Sequence, residues 1–317
     1  MKVFITGSNG FVGAALVQRL LADEPTTKIV ATVRSPVCDF LTGVEFIVVG
    51  GIDEANDWCN TLTGCEVVVH LAARVHVMQE AASDPLEEFR RVNVQGTLNL
   101  AGQAAAAGVR RFVFVSSIKV NGEATKPGRP FTADDVSAPL DAYGVSKMEA
   151  EQGLREIARQ TGMKVVIIRP PLVYGPGVKA NFAFMMRWLK SGVPLPLGAI
   201  HNQRSLVALD NLVDLLVTCI THPAAANQTF LISDGEDIST TELFRRMGQA
   251  LGCPARLVPV PVSWLKLVAA GVGKSEVAQR LHGSLQVDIV KTRLLLGWVP
   301  PLTLDQGLKK TAEGLRV

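Results

Sequence analysis

Charged side chains are scarce in this chain, and neither sign dominates. Of the 317 residues, 19% are charged, below the roughly 25% of an average soluble domain. Lysines and arginines number 32 against 29 aspartates and glutamates, for a net charge of +3. With 48% hydrophobic residues, the composition excludes a disordered chain. The near balance of charge also disfavours a protein that binds nucleic acid.

Cysteines are few as well, and the 5 present are scattered without a close pair. This spacing disfavours a disulfide framework and a zinc site, so we expect free thiols in a reducing compartment and no bound metal. The longest apolar run, residues 262–272, is interrupted by Lys266 and is shorter than the ~20 residues that a membrane span needs. The apolar start of the chain lacks a signal-peptide cleavage site. We therefore predict a cytoplasmic protein without a membrane span.

Apolar and amphipathic segments alternate in the first half of the sequence. Apolar runs predict strands at 2–6, 28–33, 44–49, 66–71, 111–116 and 164–169. Helical spacing predicts helices at 11–22, 84–107 and 141–161. Strands that are each followed by a helix predict an α/β fold with a doubly wound parallel sheet. Prolines break the pattern after residue 169, so we predict a first domain over 1–169, to which 202–225 returns, and a smaller domain over 170–317.

Three glycines, Gly7, Gly10 and Gly13, lie between the first predicted strand and the first predicted helix. In this position the first glycine permits a tight turn, the second lets the backbone approach a pyrophosphate, and the third lets the helix pack closely on the strand. The N–H groups at the start of the helix then face the anion. The pattern predicts a dinucleotide cofactor.

The end of the second predicted strand bears on which cofactor this is. A carboxylate there would bind the adenosine ribose hydroxyls and select NAD, but the chain has Val33 and Arg34 instead. Arg34 suits a 2′-phosphate, although an ordinary surface arginine is the alternative. The sequence therefore favours NADP(H) over NAD(H).

A candidate catalytic group stands near the start of the third predicted helix. Tyr143, one of only 2 tyrosines, lies four residues before Lys147, so both side chains share one helix face. A phenol with a pKa of ~10 is a poor acid–base catalyst at neutral pH unless a nearby ammonium stabilises the phenolate. Ser116 and Ser117 end the fifth predicted strand, at the edge where open α/β sheets bind ligands. Ser117 would hydrogen-bond the same substrate oxygen as Tyr143.

Several short motifs join these residues across the chain. One is the single residue Ser117. The others run from Gly7 to Gly13, from His70 to Ala73, from Asn93 to Thr97, from Tyr143 to Lys147, from Arg169 to Gly177 and from Leu296 to Pro300. Together they resemble the extended short-chain dehydrogenase/reductases, in the branch of nucleotide-sugar epimerases, dehydratases and reductases. The resemblance implies an NAD(P)-binding Rossmann domain, a smaller domain that binds a UDP-sugar, and hydride transfer at a hexose carbon, usually C4. It also implies a homodimer built on the two long predicted helices.

The same resemblance implies residue roles. Tyr143 is the acid and base, Lys147 binds the nicotinamide ribose and tunes Tyr143, and Ser117 polarises the substrate oxygen. The implied cofactor-binding residues are Gly7, Asn9, Gly10, Phe11, Val12, Gly13, Arg34, Asp53, Leu71, Ala72, Ala73, Arg74, Asn93, Ser116, Tyr143, Lys147 and Pro170. The implied substrate-binding residues are Lys119, Asn181 and Arg204. Related sequences often carry the diphosphate-binding arginine one position earlier, where this chain has Gln203.

The reaction within the branch depends on the residues after Ser117. The 4,6-dehydratases carry an Asp and a Glu where this chain has Ile118 and Lys119, so dehydration is disfavoured. Val33 and Arg34, with the resemblance of 116–123 to bacterial reductases, favour a 4-reductase of UDP-4-keto-6-deoxy-N-acetylhexosamines in surface-polysaccharide synthesis. The alternative is a UDP-hexose 4-epimerase with bound NAD.

Two alternatives come from other classes of protein. A cofactor-binding protein without catalysis is disfavoured because the serine, tyrosine and lysine are all present. A scaffold that lies on a membrane through 262–272 is disfavoured because Trp264 and its apolar neighbours need burial.

Overall fold

The computed structural model of the chain describes residues 1–23, 26–36, 42–75, 84–178, 180–265 and 281–315, with 180 and 181 described by their backbone alone. Its strands are β1 (Lys2–Thr6), β2 (Lys28–Val33), β3 (Val44–Val48), β4 (Val67–His70), β5 (Arg111–Val115), β6 (Lys164–Arg169), β7 (Leu172–Tyr174), β8 (Arg204–Ala208), β9 (Thr229–Leu231) and β10 (Asp237–Ile238). Its longer helices are α1 (Phe11–Asp23), α2 (Pro85–Arg90), α3 (Thr97–Ala106), α4 (Ala142–Thr161), α5 (Ala180–Lys190), α6 (Leu209–Thr221), α7 (Thr240–Leu251), α8 (Val290–Leu296) and α9 (Leu304–Gly314).

Seven strands form a parallel sheet in the order β3-β2-β1-β4-β5-β6-β9. One face packs against α1 and α6 through residues such as Leu16 and Leu212. The other face packs against α3 and α4 through residues such as Leu100 and Leu154. Because both faces are covered, the residues in the middle of the central strands are apolar. The predicted doubly wound α/β sheet is confirmed.

Strand order reverses between β1 and β4, which lie side by side although two strands separate them in sequence. In open parallel sheets, ligands bind in the crevice outside the carboxyl ends of the strands at such a switch point. We therefore expect a ligand site at the loops that follow β1 and β4.

The helix predicted over 84–107 is not continuous. Asp84 caps α2, and Pro85 occupies its first position, where the missing N–H is not needed. A π-helical turn, Arg91–Gly96, then separates α2 from α3. A Cβ atom on Gly96 would lie 2.8 Å from the Ile52 side chain, so the turn passes close to the loop after β3. A homodimer through these helices and α4 stays a prediction.

A three-stranded sheet in the order β10-β8-β7 forms a small lobe with α5, α7 and α9. Only Pro170 and Pro171 separate β6 of the large sheet from β7 of the small one, and α6 follows β8 without an intervening residue. The helix α6 packs beside α1, whereas β8 belongs to the small sheet. The strand β9, which the sequence did not predict, extends the large sheet beside β6. The domain limits at 169 and 170 stay a prediction.

Trp264 does not follow the expectation of burial, since 65% of it is exposed. Val262 and Leu265 beside it pack against the core of the small lobe, and residues 266–280 lie outside the described part of the chain. No helix within the described ranges is long and apolar enough to cross a membrane. The thiols of Cys59, Cys65, Cys219 and Cys253 are free, and Cys38 lies outside the described residues.

Candidate active site

Two glycines, one in the loop between β1 and α1 and one in the first turn of α1, have no room for a side chain. Gly7 has a φ of +67°, and a Cβ atom on it would lie 2.9 Å from the backbone nitrogen of Ala72. A Cβ atom on Gly13 would lie 2.1 Å from the carbonyl oxygen of Gly7. The first turn of α1, with Phe11 and Val12, is thereby held against the loop. Its leading N–H groups have no partners within the helix and are free to meet an anion.

This loop forms one wall of a cleft of about 360 Å³. The end of β2, the loop after β3 and the loop after β4 form the other walls. The lining includes these predicted cofactor-binding residues: Gly7, Asn9, Gly10, Arg34, Leu71, Ala72, Ala73 and Arg74. A cleft walled by a glycine turn and a helix start fits the pyrophosphate and adenosine of a dinucleotide. Arg34 is exposed at this cleft, and none of its described lining residues carries a carboxylate.

Asp53 lies beside the cleft and not in its lining, although its neighbour Ile52 does line it. The Asp53 carboxylate accepts a hydrogen bond from the backbone of Ala55 at 3.0 Å. It also lies 3.7 Å from the guanidinium of Arg91. These contacts shape the turn after β3, and a contact between Asp53 and the cofactor stays a prediction.

Asn93 supports the loop after β4 from below. Its side-chain oxygen accepts the N–H of Arg74 at 2.8 Å, and its amide donates to the Arg74 carbonyl and to the Ser146 hydroxyl, both at 3.0 Å. The residue is buried within the π-helical turn. Since the amide is used on both sides, Asn93 fixes where Arg74 enters the cleft. Direct contact of Asn93 with a cofactor stays a prediction.

A buried histidine joins the carboxyl ends of β1 and β4. The Thr6 hydroxyl accepts the backbone N–H groups of Leu71 and Ala72 at 3.2 Å, so its own proton points to Nδ1 of His70, 2.7 Å away. Nε2 of His70 therefore carries the ring proton and donates it to the Thr97 hydroxyl at 2.9 Å. Burial, with a smaller effect of the Lys147 charge, lowers the pKa of His70 to about 3. The site thus holds a neutral imidazole in one tautomer.

Tyr143 and Lys147 lie in the first two turns of α4. Asp141 caps this helix by accepting the Gly144 N–H at 2.7 Å. The Tyr143 ring contacts Phe89 of α2 edge-on, with ring centres 6.0 Å apart. Burial raises the pKa of Tyr143, and the charge of Asp141 raises it further. An isolated phenol here stays protonated at neutral pH, so the tuning of Tyr143 by Lys147 stays a prediction.

The ammonium of Lys147 reaches the end of β5. Nζ donates to the carbonyl of Val115 at 2.8 Å and lies 4.3 Å from the centre of the Phe114 ring. Burial lowers the pKa of Lys147 to about 7, although the nearby Glu151 charge acts in the opposite direction. Because Val115 ends β5, the ammonium lies beside the two serines that follow.

Those two serines point to different partners. The half-buried Ser117 caps a short 3₁₀ turn, where its hydroxyl accepts the N–H of Lys119 at 3.2 Å. Ser116 is buried, and its hydroxyl donates to the carboxylate of Glu151 at 2.6 Å. The backbone oxygen of Pro170 accepts the N–H of Ile118 at 3.0 Å. The side chain of Ser116 therefore bonds to a group inside the protein, and its contact with the cofactor stays a prediction.

The predicted substrate-binding residues lie in three different elements of the fold. Lys119 is paired with Asp141 and lies 3.6 Å from Glu123. Arg204, half-buried at the start of β8, donates to the carbonyl of Gly283 at 3.1 Å. Asn181 lies in the first turn of α5, and its side chain is outside the described part of the structure. Their contacts with a substrate stay predictions.

Sequence reasoning gave no role to Glu151 or to its partner Arg169, although Arg169 begins one of the motifs. Glu151 lies four residues after Lys147 on the same face of α4, and Arg169 ends β6. The spacing of Tyr143, Lys147 and Glu151 along one helix face was the available signal.

Known proteins resemble this chain in sequence and in fold. The chain is 51% identical over 315 residues to the UDP-glucose 4-epimerase of Vibrio cholerae, covering 98% of this chain and 94% of that protein. It is 26% identical to the N-acetyl-α-D-glucosaminyl-diphospho-ditrans,octacis-undecaprenol 4-epimerase of Escherichia coli O157:H7, over 98% of this chain and 94% of that protein. The solved structure of MoeE5 with UDP-glucuronic acid and NAD superposes with a TM-score of 0.78 at 25% identity, over 100% of this chain and 99% of that one.

The model of one protein family, described as the NAD dependent epimerase/dehydratase family, matches residues 3–233. This match covers the large sheet, the glycine loop and the Tyr143–Lys147 helix. The resemblance noted from the motifs is confirmed, and the chain belongs to the NAD-dependent epimerase/dehydratase family of nucleotide-sugar enzymes.

Proposed function

We propose that this protein is a UDP-hexose 4-epimerase that works with bound NAD. The observation that carries the proposal is the 51% identity, along 98% of the chain, to a UDP-glucose 4-epimerase. The geometry is compatible with it, because Ser117 follows β5 and Lys147 bonds the last residue of that strand, on the same sheet edge as the glycine loop. The sequence alone favours a 4-reductase, with a UDP-hexose 4-epimerase as the alternative. We now propose the 4-epimerase.

In the proposed reaction, NAD, when bound, supplies an acceptor and then a donor for the hydride at C4. Ser117 donates a hydrogen bond to the C4 oxygen and holds it beside Tyr143. Tyr143 takes the hydroxyl proton as the hydride leaves and returns it after the keto sugar has turned over. Burial alone makes the phenolate unfavourable, so the ammonium of Lys147 one turn away has to stabilise it.

The structure also bears on dehydration. The resemblance to the 4,6-dehydratases places their acid and base directly after the serine. Ile118 is apolar, and the ammonium of Lys119 is engaged by the carboxylates of Asp141 and Glu123. Neither residue supports the removal of water across C5 and C6.

A second candidate, the NADPH-dependent 4-reductase, rests on Arg34. Arg34 lines the cleft next to Val33, and the described lining offers no carboxylate to bind the ribose hydroxyls. A 2′-phosphate would suit this arrangement. The two candidates differ in whether the cofactor is consumed.

To test the proposal, the purified protein is incubated with UDP-glucose or UDP-N-acetylglucosamine without added reductant. NMR then identifies the sugar that is formed. We expect conversion to the C4 epimer and NAD that copurifies with the protein. Oxidation of added NADPH with UDP-4-keto-6-deoxy-N-acetylglucosamine, and no epimer, would overturn it.

The variant Arg34→Ala separates the two cofactors. As an NADPH ligand, Arg34 makes a charge-assisted hydrogen bond of ~1.5–3 kcal/mol, so its loss would weaken NADPH binding by about 10- to 150-fold. In the proposed epimerase, the affinity for NAD stays within about two-fold because an exposed arginine contributes little. Arg129→Ala, which changes an exposed arginine outside the described cleft lining, is the matched control.

A further inference from the structure

A buried ion pair lies directly beneath the candidate active site. The side chains of Glu151 and Arg169 are 1% and 2% exposed. Arg169 Nε donates to Oε1 of Glu151 at 2.8 Å, and Nη2 donates to Oε2 at 2.6 Å. Apolar residues of similar volume are often as stabilising as such a pair, because burying two charges costs desolvation. Stability alone is therefore a weak explanation for it.

Both ends of one short segment are bound to this pair. We call residues 116–121 the serine loop, since it carries Ser117. At its start, the Ser116 hydroxyl donates to Glu151 at 2.6 Å. At its end, Nη1 of Arg169 donates to the side-chain oxygen of Asn121 at 2.9 Å. The ion pair thus holds the loop on either side of Ser117.

The pair also joins the loop to the helix that carries the other candidate catalytic groups. Glu151 follows Lys147 by one helical turn and Tyr143 by two. Near the start of α4, a Cβ atom on Gly144 would lie 3.0 Å from the carbonyl oxygen of Lys119. The serine loop and α4 therefore touch at one end and are bonded through charged groups at the other.

We propose that Glu151 and Arg169 are positioning residues, which fix the Ser117 hydroxyl at its working distance from Tyr143 and Lys147. The proposal rests on the proposed function, in that Ser117 and Tyr143 act on one substrate oxygen. Neither Glu151 nor Arg169 needs to touch the substrate. Their effect on turnover passes through the serine loop.

A double-mutant cycle on Ser117 tests this. Ser116→Ala and Glu151→Gln are each made in the wild-type chain and in a Ser117→Ala chain. Because misplacement by ~1 Å can cost up to ~100-fold in rate, we expect each change to lower kcat at least about ten-fold in the wild type. In the Ser117→Ala chain the same changes should alter kcat less than about two-fold, since no hydroxyl remains to be positioned. KM for the UDP-hexose and the Kd for NAD should stay within about two-fold in all of them.

The matched control is Thr292→Val. This change removes the buried hydroxyl of Thr292 on α8, which donates to the carbonyl of Leu231 at 2.6 Å. It should leave kcat unchanged. Equal factors of loss in the two chains would overturn the proposal, because the pair would then act independently of Ser117. A loss of kcat shared by Thr292→Val would overturn it too, as a general effect of a weakened core.

The double change Glu151→Leu with Arg169→Met covers the case in which a single change does not fold. It removes both buried charges together and leaves only Arg155, an exposed partner of Glu151 that solvent can hydrate, so we expect a folded protein with low kcat. A folded double variant with wild-type kcat would overturn the proposal. If the wild type does not epimerise UDP-hexoses, the proposed function fails by itself, and the same cycle is then measured with the 4-keto sugar and NADPH.

Discussion

Acid should destabilise this protein through His70, whose side chain is only 1% exposed. A second proton would have to bind Nδ1, where the Thr6 hydroxyl already donates. The imidazolium would also lie near the ammonium of Lys147. The folded state therefore excludes a proton that the unfolded chain accepts readily.

The pKa of His70 sets the size of the effect. It is about 3 in the folded protein, against the usual 6.5. Between these values the unfolded chain binds more protons than the folded one, so the free energy of unfolding falls as the pH falls. At 1.36 kcal/mol per pKa unit, the loss from His70 alone is about 2 kcal/mol at pH 5 and about 3 kcal/mol at pH 4.

Urea denaturation at pH 7.5 and pH 5 measures this loss. His70→Gln has no titrating ring, so its loss over the interval should be smaller than that of the wild type by about 2 kcal/mol, whatever its stability at pH 7.5. His201→Gln, which removes an exposed imidazole, is the control and should behave like the wild type. An unchanged loss in His70→Gln would refute the reasoning.

Three further predictions concern the candidate active site. Tyr143→Phe should lower kcat at least ~100-fold while UDP-sugar and NAD still bind, since only the acid–base hydroxyl is lost; steady-state kinetics with near-normal turnover would contradict this role. Lys147→Met should lower kcat and also raise the Kd for NAD, which calorimetry measures; an unchanged Kd would remove the ribose contact from its role. Gly13→Ala places a Cβ atom 2.1 Å from the Gly7 oxygen, so it should lower both the Tm and the NAD affinity. Its control is Gly102→Ala on α3, where the added Cβ atom would have no neighbour within 4 Å. This change should alter the free energy of unfolding by no more than ~1 kcal/mol.

The strands of the large sheet were predictable because burial on both faces leaves apolar runs that are bounded by turns. The helix after β4 was harder, since its break depends on tertiary contacts. Asn93 reaches back to Arg74, and Gly96 passes beside Ile52. The three residues of β9 are too few for a pattern, and only pairing with β6 makes them a strand.

The candidate site divides in the same way. The glycine loop and the Tyr143–Lys147 pair are local patterns, so spacing alone finds them. The direction of the Ser116 side chain and the partners of Lys119 depend on residues far along the chain, including Glu151 and Asp141. Spacing along α4 places Glu151 on the face of Tyr143 and Lys147, but it does not reveal that Ser116 is the partner of Glu151.

The link between the two sheets has a mechanical consequence. Pro170 and Pro171 are the whole connection from β6 to β7, and a proline ring fixes φ near −65°. The second crossing, from Ala208 to Leu209, has no loop at all. Neither of these links has the slack that a hinge requires, and the third crossing, residues 232–236 between β9 and β10, is short, so we expect the large and small lobes to move as one body. Entry and release of a substrate must then come from loops at the cleft, and the radius of gyration measured by X-ray scattering should stay constant on binding.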